Sequence, residues 1–113
     1  MIRGVGIDVV DIDRFKQSLE RTSGLKSKLF TEAERVKSIQ SLAARFAAKE
    51  ALVKALNAEN GILWHEAEVV NLVGGKPTFI FYGALADLTD GSNVHLSISH
   101  DAGVATSIVI VEQ

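Results

Sequence analysis

The sequence predicts an α+β fold, and three observations carry the prediction. Helix-period patterns fill the first half of the chain and period-two alternation fills the second. The alternating segments come in pairs around Gly-containing turns, which makes antiparallel hairpins. Helices of the first half are therefore expected to pack on an antiparallel sheet made from the second half plus an N-terminal strand. At 113 residues and 47% hydrophobic, the chain has the size of one domain, spanning 1–113, with enough apolar residues for its own core.

Each element has its own signal. Ile2 to Val10, IRGVGIDVV, is β-branched and alternates, as a strand does. DIDRFKQSLER follows with acids at its front, where helix N-termini favour them. Phe15 and Leu19, four apart, form its buried stripe, and Gly24 ends it. Thr31 to Glu34, TEAE, is a capping-box pattern that predicts a short helix to about Ile39. A long helix from about Ser41 to Asn57 comes next, and Asn60-Gly61 closes the region. AEVVNLV and KPTFIFY flank Gly74-Gly75 as a first hairpin. GALADLTDG reads as a short helix, and NVHLSIS and VATSIVIVE flank HDAG as a second hairpin.

Composition narrows the function. A net charge of −2 does not point to nucleic acid. Without cysteine there is no disulfide framework and no zinc-thiolate site. No leader pattern opens the chain and no apolar run reaches bilayer length, so the expectation is a cytoplasmic protein without a membrane partner.

The long helix poses the central question. Ala and Leu cover most of its wheel, yet Arg45, Lys49, Glu50 and Lys54 interrupt it. Glu50 and Lys54 are i,i+4 in the favourable order, which an ordinary surface pair would explain. Arg45 and Lys49 are i,i+4 with like sign, beside Leu52 and Leu56. Desolvating two cations together is unfavourable unless an anion joins them, and a phosphate is one such anion. Snorkelling, with stems buried and heads in water, is the alternative.

Asp8 is the second anomaly. Val5, Ile7 and Val9 face one way along the first strand, while Gly6, Asp8 and Val10 face the other. A carboxylate within so apolar a strand is unexpected unless it caps the next helix, and Asp11 and Asp13 are better placed to do that. Asp8 and Glu50 together suit Mg²⁺, which is held by one or two carboxylates with water and substrate phosphates completing its shell. LSISHD, Leu96 to Asp101, places Ser97, Ser99 and His100 at a strand end, without a G-x-S-x-G elbow to suggest a hydrolase. A lone His is more often structural, the reading given to His65 and His95.

GIDVVDIDR (Gly6 to Arg14), RFAAKEALVKA (Arg45 to Ala55) and SISH (Ser97 to His100) occur in one order along the chain. Together they resemble the motifs of the holo-[acyl-carrier-protein] synthases, the small single-domain class of 4′-phosphopantetheinyl transferase. LFTEAE, W..AEV from Trp64 to Val69, and GKP from Gly75 to Pro77 extend the resemblance over essentially the whole chain. It departs at Ala44, where a Gly would be expected, and in a tight connection near Gln40 and Ser41.

The resemblance implies a 4′-phosphopantetheinyl transferase-like fold and a reaction. Phosphopantetheine would move from coenzyme A to a serine of an apo acyl carrier protein or carrier domain, in support of fatty acid biosynthesis. Adenosine 3′,5′-bisphosphate would leave. Asp8 and Glu50 would bind Mg²⁺ and Lys54 would assist catalysis. Arg45, Lys49, Lys54, Ser99 and His100 would contact coenzyme A. Glu50, or a metal-bound water that it orients, would be the base. The resemblance further implies a homotrimer with sites at subunit interfaces, His100 and Ser99 reaching coenzyme A from the neighbour, and the apolar helix suits such an interface. Arg14, Ser18 and Arg21 form an i, i+4, i+7 stripe on the first helix. Through it Arg14 and Arg21 would dock an acidic carrier helix. Two rival readings share part of this pattern: another Mg²⁺-dependent nucleotide or phosphoester enzyme, and a non-catalytic module that binds coenzyme A.

Overall fold

The long charged helix is the centre of the molecule. In the computed structural model, which describes residues 1–113, it runs as α4 over Ile39–Leu56. It starts earlier than the pattern suggests because Ser38, not a residue further on, is its cap: the Ser38 hydroxyl accepts from the Ser41 amide at 3.2 Å. Asn57, with φ of 52°, ends it in the left-handed conformation that Asn tolerates.

The other elements wrap this helix. Strand β1 (Ile2–Asp11) leads into α1 (Ile12–Arg21), capped by the Asp11 carboxylate at the Arg14 amide, 3.0 Å. A five-residue helix, α2 (Leu25–Leu29), follows Gly24. It is too short to leave a periodic trace in the sequence. Helix α3 (Glu32–Arg35) carries the capping box read from TEAE, with both reciprocal bonds present. After α4 come a 3₁₀ turn (Trp64–Glu66), β2 (Ala67–Asn71), β3 (Pro77–Phe81), α5 (Gly83–Thr89), β4 (Asn93–Asp101) and β5 (Val104–Glu112).

The strands form two sheets rather than one. β1, β5 and β4 make an antiparallel sheet with β5 in the centre, and β2 and β3 pair only with each other. The second hairpin thus recruits the N-terminal strand, with Asp8 opposite Ser107 in register.

Helix α4 lies very close to β1. A Cβ added to Gly6 would overlap the Ala51 carbonyl oxygen, and one added to Gly4 the Ala55 carbonyl oxygen. Gly on the strand and Ala on the helix let the two backbones meet, which sets the spacing between Asp8 and the charged residues of α4. Ala43, Ala47, Ala48, Ala51 and Leu52 are all fully buried, as are Ala105 and Val109 of the facing β5.

The chain's own strands and loops cover most of the apolar surface of α4, leaving Phe46, Val53 and Leu56 partly exposed. A second apolar surface lies on the outer face of the sheet, where Val5, Ile7 and Val9 are 54%, 59% and 63% exposed and Ile108 adjoins them.

Candidate active site

Asp8 and Glu50 line one surface cleft of about 320 Å³, together with Arg14, Phe46 and Ser18. Strand β1 supplies Asp8 on the face that looks toward α4, and α4 supplies Glu50 one turn before Lys54. Thr106 on β5 steadies the strand there, its hydroxyl donating to the Asp8 carbonyl at 3.0 Å.

Lys54 reaches back across the gap to β1. Its ammonium donates to the Ile7 carbonyl at 2.8 Å and to the Asp8 carboxylate at 3.2 Å. The i,i+4 pairing of Lys54 with Glu50 is therefore not formed. The strand carboxylate lies within reach of the lysine and adds a carbonyl acceptor beside it, which Glu50 does not.

Glu50 makes no ion pair of its own. Burial, and then the nearby charge of Asp8, push its carboxyl up from the usual value, against the pull of Lys54. Glu50 thus lies beside a second carboxylate whose nearest cation, Lys54, bonds Asp8 and not Glu50. No group of three or more His, Cys, Asp or Glu forms a metal cage. Two hard oxygen donors open to a cleft nevertheless suit Mg²⁺, which takes most of its shell from water and phosphate.

Arg45 stands at a second, separate cleft of about 300 Å³, lined also by Ser41, Asn71 and His100. Its guanidinium donates to Val69 O at 3.3 Å and Asn71 Oδ1 at 2.9 Å, and it also bonds Ser41. Burial lowers its pKa, while Glu34 and Glu68 oppose that shift. Arg45 and His100 thus line one cleft of a single chain. Ser99 does not join them: successive strand residues point to opposite faces, and Ser99, opposite Thr106 on β5, lies on the outer face of the sheet.

Lys49 requires a correction. The sequence pattern offered it as a phosphate ligand, or as a snorkelling side chain, yet it is fully buried. Its ammonium has a complete set of partners: Glu34 Oε1 at 2.6 Å, Leu29 O at 2.8 Å and Trp64 O at 3.1 Å. An ammonium has three donors, and all three are used. The anion that the desolvated cations demanded is thus a protein carboxylate, Glu34. Its other oxygen accepts from the Val69 amide at 3.0 Å. The sequence marked Glu34 only as the end of a capping box, which gave no hint that it also pairs with a residue on the next helix. Despite that pairing, Lys49's pKa is lowered, chiefly by burial.

On the first helix, Arg14 and Arg21 are both exposed, while Ser18 is half-buried and bonds back to the Arg14 carbonyl. Arg14 borders the Asp8–Glu50 cleft, so the basic stripe leads directly into it. His65 bonds the Ser27 carbonyl and His95 pairs with Glu112, both at 2.6 Å.

The sequence and its α+β fold match known proteins. A model of the family described as the 4′-phosphopantetheinyl transferase superfamily matches residues 4–109. The chain belongs to that superfamily, among its holo-[acyl-carrier-protein] synthases. It is 53% identical to the holo-[acyl-carrier-protein] synthase of Clavibacter sepedonicus, over 99% of this chain and 97% of that one. Its fold is similar to that of the solved holo-[acyl-carrier-protein] synthase of Neisseria meningitidis, with a TM-score of 0.88 at 28% identity over the whole of both chains. The Helicobacter pylori enzyme in complex with coenzyme A superposes with a TM-score of 0.85 at 28% identity, covering 96% of this chain and 99% of that one.

Proposed function

We propose that this chain, as a single domain over 1–113, transfers 4′-phosphopantetheine from coenzyme A to a serine of an apo acyl carrier protein or carrier domain. Adenosine 3′,5′-bisphosphate is released, and the reaction supports fatty acid biosynthesis in the cytoplasm. The observation that carries this reading is the pairing of Asp8 with Glu50 in one cleft, on a chain that belongs to the transferase family.

In this reading Asp8 and Glu50 hold Mg²⁺. Held by these two carboxylates, the ion would supply positive charge to offset that of the pyrophosphate. Glu50, or a metal-bound water that it orients, accepts the proton of the serine hydroxyl. The serine oxygen bonds to the β-phosphorus as the bond from that phosphorus to the bridging oxygen breaks. Lys54 places its ammonium beside Asp8, where it can turn to a phosphate of the donor. Arg45 and His100 suit the phosphate at the nucleotide end of coenzyme A, since their cleft joins a fixed cation to an imidazole. Arg14, at the edge of the Asp8–Glu50 cleft, and Arg21 further along the exposed face of α1 dock the acidic carrier.

The chain assembles as a homotrimer in this reading. The exposed apolar row of β1 and Ile108 supports it, because contiguous apolar surface on a protein this small marks an interaction site. Ser99 lies on that same outer face and so is placed to meet a neighbour.

The test is direct. Incubate the protein with an apo carrier, coenzyme A and Mg²⁺, and weigh the carrier by mass spectrometry. A gain of one phosphopantetheine is expected. An unmodified carrier with hydrolysed coenzyme A would favour a phosphoesterase, and no change in either would favour a binding module.

A further inference from the structure

Ser107 lies on the central strand β5, directly opposite Asp8. It is only 2% exposed, and its hydroxyl oxygen is the buried side-chain polar atom left without a hydrogen-bond partner. A buried hydroxyl without a partner is unfavourable and rare. Its surroundings offer little choice. On the same face of β5 its neighbours are Ala105 and Val109, and its counterpart on β4 is Ile98. Of the two residues directly opposite it, Asp8 and Ile98, only Asp8 has a side-chain acceptor.

The geometry permits that contact. Directly opposed residues in an antiparallel pair share a face, with Cβ atoms about 5 Å apart. A carboxylate extends far enough from its Cβ to meet a hydroxyl that turns toward it. Asp8 has capacity to accept, since an ionised carboxylate offers about four lone-pair sites, and the bond from Lys54 uses one oxygen. The adjacent residue, Thr106, already holds the Asp8 carbonyl.

We propose that Ser107 is a positioning residue for Asp8: its hydroxyl donates to the Asp8 carboxylate and fixes that group's orientation toward the divalent cation when Lys54 turns away. The inference rests on the Mg²⁺ reading of the site. Thr106 would then hold the main chain of Asp8 and Ser107 its side chain, an outer-shell arrangement of the kind that tunes metal ligands.

The test uses Mg²⁺ alone, titrated into wild type, Ser107→Ala, Ser107→Cys and Asp8→Asn, with the thermal midpoint as readout. The metal-free midpoint of Ser107→Ala should equal or exceed that of wild type, since an unpaired hydroxyl is removed. The variant should need about ten-fold more Mg²⁺, or beyond, for the same rise. Ser107→Cys, a weak donor of similar shape, should fall between. An Mg²⁺ response in Ser107→Ala equal to that of wild type overturns the proposal and leaves Ser107 as a packed hydroxyl. A wild type that does not respond, or an Asp8→Asn that responds fully, overturns the metal reading itself and this inference with it.

Discussion

Lys49 and Lys54 lie on the same helix, five residues apart, and their environments assign them opposite work. Lys49 is enclosed with all three donors bonded, so Lys49→Met strands a buried Glu34 carboxylate. Losing one partner of a buried pair costs about 3–5 kcal/mol, which denaturant melts of the variant should show. Lys54 is half-exposed, and its pair with Asp8 contributes at most about 1 kcal/mol. Lys54→Met should therefore fold almost normally and lose transfer activity. Asp8→Asn and Glu50→Gln should each lower turnover at least about 100-fold, with the fold intact by circular dichroism. Glu50 also has a stability signature. Its folded-state pKa lies above the unfolded one, so its stabilising contribution is present below that unfolded value and is lost as pH rises through the raised folded value. Glu50→Gln cannot ionise. Without metal, its thermal midpoint should exceed that of wild type at pH 7, and the advantage should vanish below pH 4.5, the group's ordinary value.

At the scale of elements, the contact between β1 and α4 builds the site. Gly6 has no room for a methyl group, because the Ala51 carbonyl fills the space. Gly6→Ala must push the helix away from the strand, at a cost of about 1–3 kcal/mol or more, and it should impair turnover beyond what the stability loss explains, since the spacing of Asp8 to Glu50 changes. Thermal melts and kinetics on the same preparation separate the two effects. Helix α1 contributes differently, through exposed charge beside the cleft. Arg14→Ala and Arg21→Ala should raise KM for the carrier much more than for coenzyme A. Carrier KM should also rise with salt, as the Debye length falls to about 3 Å at 1 M. A carrier KM indifferent to both changes would move docking to another surface.

For the whole molecule, the outer sheet face is a surface that packing within one chain leaves uncovered. Ile7 is at its middle, 59% exposed, between Val5 and Val9 on the same face. If three copies associate there, Ile7→Asp should give a sedimentation mass of one chain at concentrations where wild type gives three. The exchanged residue points away from α4, so far-ultraviolet circular dichroism should not change. A wild type that sediments as one chain would remove the trimer from the reading.

The sequence by itself determined the class of fold, both hairpins, the TEAE capping box and the residues Asp8 and Glu50 as anomalies worth explaining. These are local signals: period, turn chemistry, and a charge where an apolar residue belongs. The tertiary structure alone decided which charge meets which. Arg45 and Lys49 look alike on a helical wheel, but Lys49 turns inward to Glu34, a partner that the distant α3 supplies, and Arg45 borders an open cleft. Likewise the alternation of β1 could not say which face is buried. Its bulky row looks like a core face, yet the glycine row is the one pressed against α4, because only glycine allows the backbones so close. Long-range pairings depend on how distant segments meet, and that information is spread over the whole chain rather than held in any one stretch of it.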